Sequence, residues 1–176
     1  HGTEVFSADL WVSPTENYTR FMSLGIDKKA IPLSVDATKT MPFANDYFDM
    51  VFCIDAYHHF GNNAEMLPKL TPYLKKGGTI AMAIPGIKSE FNNGVPEELK
   101  PFWSDDVNFY TLEWWLDLWK KSGLVEISYS AAMESHDMAW REWLESPSPY
   151  ALRDIEMMKA ENGNYFTHFM IIASLL

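Results

Sequence analysis

Asp55, Tyr57, His58 and His59 follow one another closely at the end of an apolar run, "DMVFCIDAYHHF", which begins at Asp49. An unperturbed imidazole titrates near neutral pH and can take a proton from a hydroxyl or an amine, so His59 and His58 are candidate bases, with Tyr57 beside them. Neighbouring residues at a strand end point in different directions, which leaves one histidine to face a cleft and the other to pack or to hydrogen-bond backbone. Two more carboxylates stand just past apolar stretches, Asp9 after "TEVFSA" and Asp36 after "AIPLSV". An acid directly after a strand of a nucleotide-binding sheet can accept both ribose hydroxyl protons, and one a strand further along can accept an adenine amino group. The structural alternative for each is a carboxylate that merely turns the chain. Glu134, His136 and Asp137 in "ESHD" are metal-capable types, but no second His or Cys cluster stands at a ligand spacing. They read as a solvated loop, and no metal site is expected. Cys53, in mid-strand, reads as an inert core residue.

The elements that would position these groups alternate along the chain. Thr3 to Ala8 reads as a strand, and "SPTENYTRFMSLG" as a helix capped by Ser13, with Pro14 at its first position and Gly25 as its stop. Ala30 to Val35 is a second strand. Asp49 to Ile54 has the continuous apolar character of a strand buried on both faces. A helix weakened by Pro68 and Pro72 comes next, then "KKGGTIAMAI" as a glycine turn into another buried strand. Residues 87–110 read as a long loop with short helical pieces, of the kind that forms lids or binding loops. Leu112, Trp115, Leu116 and Trp119 restore a helical period that Gly123 closes. A strand at Leu124 to Ser130, helical segments near 137–145 and 150–160, and a strand at Tyr165 to Ser174 complete the chain. Strands alternating with helices indicate an α/β fold with a mostly parallel central sheet flanked by helices. Ligands of such sheets bind beyond the C-terminal ends of the strands, where Asp9, Asp36 and Asp55 stand.

The 176 residues suffice for one domain with a sizeable core, and 47% hydrophobic and 15% aromatic residues mark it as globular and not disordered. Fourteen Lys and Arg against 24 Asp and Glu give a net charge of −10, which repels phosphate backbones and anionic lipid. Nucleic acid is therefore not an expected partner. The apolar runs fall far short of the roughly 20 residues of a membrane helix. One cysteine fits a reducing cytoplasm. An acidic surface with many aromatics leaves room for a homodimer.

"DATKTMPFANDYFDMVFCIDAYHHF" followed by "LTPYLKKGGTIAMAIPG" resembles the class I S-adenosylmethionine-dependent methyltransferases, in particular the small-molecule branch that includes ubiquinone/menaquinone-biosynthesis-like enzymes. The shared features are an Asp-Ala after a strand, a Pro-Phe turn with acidic residues, Phe-Asp opening the next strand, a His-containing segment after it, and a Leu-Lys-x-Gly-Gly entry. Lys76 stands where the family usually has Pro. The resemblance covers about residues 3–86 and implies a Rossmann-like methyltransferase fold forming a single domain over 1–176, with substrate-covering segments at about 87–110 and 131–160. It implies S-adenosyl-L-methionine as cofactor, with Asp9 on its ribose, Leu10 and Trp11 beside the adenine, and Asp36 and Ala37 at the adenine edge. Asp55 to His59 would line the floor near the methionine part. The family's first strand and Gly-rich loop should stand just upstream of Thr3 and are missing. Since the chain opens on His1 and not on Met, the resemblance implies a part of a longer protein, or a defective fragment. The expected activity is methyl transfer to a small-molecule acceptor. The alternatives are a nicotinamide-dependent oxidoreductase, since an acid after a strand serves ribose there too, and a non-catalytic Rossmann-like binding module. The Pro-Phe turn and Gly-Gly strand entry argue against the oxidoreductase.

Overall fold

In the computed structural model, which describes residues 3–176, the Ser13 hydroxyl accepts the Glu16 amide at 3.2 Å, and Pro14 takes the first helical position. This cap starts α1 (Pro14–Ser23) between β1 (Val5–Asp9) and β2 (Ala30–Ser34). The two strands pair in parallel, with Val5 opposite Ala30 and Asp9 opposite Ser34. Gly25, at φ +68°, turns the chain out of the helix in a conformation that a side chain would strain. These elements make up one compact unit, ending at Ala44, and residues from Asn45 onward make up a second.

The second unit is built on a four-stranded sheet in the order β3 (Phe48–Ile54), β4 (Leu74–Ile87), β6 (Phe166–Leu175), β5 (Val125–Ala132). β3 and β4 are parallel, and β6 pairs antiparallel with both β4 and β5. β3, β4 and β5 therefore run the same way, with β6 alone reversed between two of them. Burial on both faces, expected for the run at Asp49 to Ile54, is instead a property of β4, where Ile80, Met82 and Ile84 on one face are wholly enclosed and Ala81 and Ala83 on the other are 8% and 6% exposed. β4 is flanked by strands on both sides, whereas β3 ends its sheet and leaves Met50, Phe52 and Ile54 about half exposed.

The proline-weakened helix shrinks to α2 (Met66–Leu70) and a 3-10 turn at Thr71–Tyr73, because Pro72 has no N–H with which to continue the ladder. Thr111 caps α3 (Leu112–Lys121), whose Trp115 and Trp119 are fully buried against Tyr57. α4 (His136–Leu144) and α5 (Pro149–Glu161) lie between β5 and β6 in sequence.

Residues 88–111 hold a single 3-10 turn, at Lys100–Phe102. The segment is nevertheless pinned at both ends. The Glu90 carboxylate accepts the Thr111 amide at 3.1 Å and its hydroxyl at 2.7 Å, and the buried Asn108 amide donates to the His58 carbonyl at 2.9 Å. Ile87, Leu99, Trp140, Met157 and Phe166 form a buried cluster, with Trp103 and Phe109 packed onto it. Trp103 and Trp140 thus hold the loop and α4 onto β6. Burial of a side chain of this size is worth about 2–3 kcal/mol.

Candidate functional site

In the first unit Asp9 ends β1, and its Oδ1 accepts the backbone N–H groups of Trp11 and Val12 at 2.8 and 2.9 Å. The aspartate thereby shapes the loop that carries Leu10 and Trp11, whose side chains are 56% and 67% exposed. Its other oxygen, Oδ2, accepts no hydrogen bond among the described residues. Asp36 lies two residues beyond β2. Its Oδ1 takes the Thr38 amide at 3.0 Å and the Thr38 hydroxyl at 2.6 Å, and Lys39 lies 3.1 Å from Oδ2. The Thr38 hydroxyl, its amide and then Lys39 hold this carboxyl below the usual range. Ala37 beside it is half-buried.

In the second unit Asp55 leaves β3 in a left-handed conformation, φ +48°, while its amide donates to the Ala83 carbonyl at 2.8 Å. A non-glycine residue in this region costs of the order of 1 kcal/mol, so the exposed carboxylate sits on a deliberately sharp turn. The 3-10 turn Tyr57–Phe60 follows and points its members apart. Tyr57 packs inward among Phe60, Trp115 and Trp119, where burial pushes its phenol further up. His58 is also buried, at 7% exposure, and its Nδ1 has no hydrogen-bond partner. Burial, with the neighbouring His59 ring, lowers its pKa to about 3. His59 is the exposed member of the pair, its ring 3.9 Å from that of His58, and its pKa is lowered mainly by burial, with Asp55 opposing. Cys53 has its thiol pushed up to about 12 by burial, far from thiolate reactivity.

Two histidines that local sequence does not connect join this turn. His168 on β6, 9% exposed in its side chain, places Nε2 3.6 Å from Asp55 Oδ1. Its Nδ1 lies 2.9 Å from the Nδ1 of His136. The "ESHD" stretch is therefore not a solvated loop throughout, since His136 opens α4 and its ring packs against β6. The pairing spans 32 residues and arises only because β6 returns beside β4, with His168 opposite Pro85. Among the described residues, no three His, Cys, Asp or Glu side chains gather as a metal site.

The family model for the methyltransferase domain matches residues 12–82, a span that includes Asp36, Ala37 and Asp55 to His59 and begins just after Trp11. No curated protein matches the chain in sequence. Among solved structures, a geranyl diphosphate methyltransferase in complex with SAM superposes with a TM-score of 0.71 at 13% identity, over 99% of this chain and 70% of that one. Geranyl diphosphate C-methyltransferase from Streptomyces coelicolor gives 0.73 at 12% identity, over 99% of this chain and 64% of that one. The fold is the class I methyltransferase fold. The chain spans about two thirds of the length of these methyltransferase structures. The same methyltransferase fold also relates it to the (4+2)-cyclase SpnF, with a TM-score of 0.71 at 13% identity over 98% of this chain and 66% of that one. The fold by itself thus leaves the reaction to the residues it carries.

Proposed function

We propose that the chain is an S-adenosylmethionine-dependent methyltransferase acting on a small molecule. The observation that carries this reading is the methyltransferase-domain pattern at residues 12–82, which runs through the strand ends bearing Asp36 and Asp55. The residues suit the cofactor's chemistry. Asp9 has an oxygen to offer ribose hydroxyls, and the exposed Leu10 and Trp11 beside it offer an apolar surface to a base. Asp36 and Ala37 are assigned to the adenine edge, and Asp55 to the methionine side, where carboxylates and aromatic faces favour a sulfonium cation. The cofactor, when bound, supplies an electrophilic methyl group. The protein's part is to hold an acceptor in line with it and to receive the acceptor's proton. His59 is the better placed of the adjacent histidines for that role, because His58, with a pKa near 3, is a weak base.

A small acceptor accords with the net charge of −10, which disfavours nucleic acid, and with the geranyl diphosphate enzymes of the same fold. No helix among the described residues is long and apolar enough to cross a membrane. A single cysteine accords with a cytoplasmic site of action, and the exposed aromatics accommodate a homodimer.

Isothermal calorimetry with S-adenosylmethionine tests the reading. Saturable binding is expected, with Asp9→Ala weakening it by about tenfold to a hundredfold through the loss of charge-assisted hydrogen bonds. Absence of binding, or unchanged affinity in Asp9→Ala, would overturn it.

A further inference from the structure

Asp55, His168 and His136 form a continuous array from the end of β3, across β6, to the first residue of α4. Two imidazole nitrogens 2.9 Å apart cannot both carry a proton, so one donates and the other accepts. The Asp55 carboxylate, 3.6 Å from His168 Nε2, decides which. It favours a hydrogen on that Nε2, leaving His168 Nδ1 as acceptor and His136 Nδ1 as donor. The lone pair that remains is on Nε2 of His136. The 3.6 Å separation is a Coulombic contact and not a hydrogen bond, and Asp55, 61% exposed, is free to shorten it by rotation.

His136 stands in the wall of an open groove of about 660 Å³ between α4 and α5. Trp140, Leu144 and Met158 give the groove an apolar lining, and its charged groups are of both signs, Arg141 and Lys159 against Asp137, Glu145 and Glu161. Its shape and chemistry suit a small amphipathic molecule. We infer that His136, His168 and Asp55 make up a second acid–base site, in which His136 takes the proton of a hydroxyl or amine on a small amphipathic molecule held in this groove. On the methyltransferase reading, on which this identification rests, that molecule is the methyl acceptor. The acceptor atom would bond the methyl carbon while the methyl's bond to the cofactor sulfur broke, its electron pair left on sulfur, and the acceptor would lose its hydrogen as a proton. His136 Nε2, in place of His59, receives that proton, and the resulting positive charge is shared through the Nδ1 contact with His168, beside the Asp55 carboxylate.

His168 and Asp55 are positioning residues, since they act through His136. The charged and titratable groups around the pair are few. Asp137 on α4 and Glu161 at the end of α5 favour the cation, Lys88 beyond β4 opposes it, and His58 faces His168 from the 3-10 turn. Burial outweighs them and lowers the His136 pKa, which keeps its lone pair available at neutral pH.

Imidazole NMR of the full chain, titrated with acid, tests the array without any assay of methyl transfer. Across the Nδ1 contact the two rings are expected to share a single added proton, and Asp55→Asn, which removes the carboxylate beside His168 Nε2, should move that uptake to lower pH. His168→Asn should leave His136 to take up its proton alone, at a pH still held below the ordinary value by burial. Adding p-cresol, an apolar ring with one hydroxyl, should shift the His136 ring and Met158 methyl signals. Independent titration of the two rings, an unmoved midpoint in Asp55→Asn, or no response of His136 to p-cresol would overturn the site. Because Asp55 is exposed, its variant remains informative even where the buried His168 variant fails to fold. Coupled histidines in a chain that binds no S-adenosylmethionine would leave this site standing while the methyltransferase reading fell. Independent histidines in a chain that binds the cofactor would do the reverse.

Discussion

His58 shows how one residue links pH to stability. Its pKa in the fold is about 3, against an ordinary value of 6.5, so the unfolded chain binds the proton more tightly. Its contribution is fully present above pH 6.5 and is lost progressively as pH falls towards about 3. His58→Leu removes both this liability and a buried nitrogen that lacks a partner. Urea denaturation from pH 7 to 4 should show an acid limb shallower by about one proton in the variant, with stability at pH 7 unchanged or raised by up to about 1 kcal/mol. An unchanged acid limb would mean that His58 is not neutral and buried in the fold. Glu161 serves a different end with the same economy of groups. Buried to 1% exposure, it accepts the amides of Gly163, Tyr165 and Phe166 and so forms the turn from α5 into β6. A sequence reading shows a glutamate in a helical segment. The three donors exist only once the chain has turned back.

At the scale of elements, β4 and β6 carry the second unit, and their contact leaves no room for a side chain at Gly86. A Cβ there would lie 2.3 Å from the Phe169 ring and 2.5 Å from the Tyr110 carbonyl. Gly86→Ala should therefore destabilise the protein by about 3 kcal/mol, seen as a fall in the thermal midpoint, since one of the two clashes is with backbone. A midpoint within a degree of the parent would show that the loop before α3 yields. The strand read from "KKGGTIAMAI" stops at Ile84, and β4 in fact continues through Gly86 to Ile87. Element types and order were legible because the periods were clean: apolar runs for β3 and β4, and a tryptophan stripe for α3. What periodicity left open was which strand lies inside. β3 and β4 read alike, yet Phe52 is half exposed and Met82 wholly buried, because position in the sheet and not composition decides coverage.

At the scale of the whole molecule, the net charge of −10 creates a field that attracts cations. S-adenosylmethionine carries a sulfonium charge, and its demethylated product does not. Raising salt from about 0.05 to 1 M, which shortens the screening length to about 3 Å, should weaken binding of the cofactor several-fold and that of the product less. Calorimetry at the two salt levels checks this, and equal salt dependence for both would show that the field plays no part. The α/β class, the strand ends bearing Asp9, Asp36 and Asp55, and the methyltransferase resemblance were all determined by sequence alone. Each rests on residues close together in the chain, where strand propensity, capping and turn chemistry act locally. Only the tertiary structure decided that Tyr57 and His58 face the core. It also decided that Trp103 and Trp140 hold the 88–111 loop and α4 onto β6, and that His136 meets His168 beside Asp55. Those outcomes depend on strands reversing and returning, and the order of β4, β6 and β5 in the sheet is a long-range choice that no local pattern encodes.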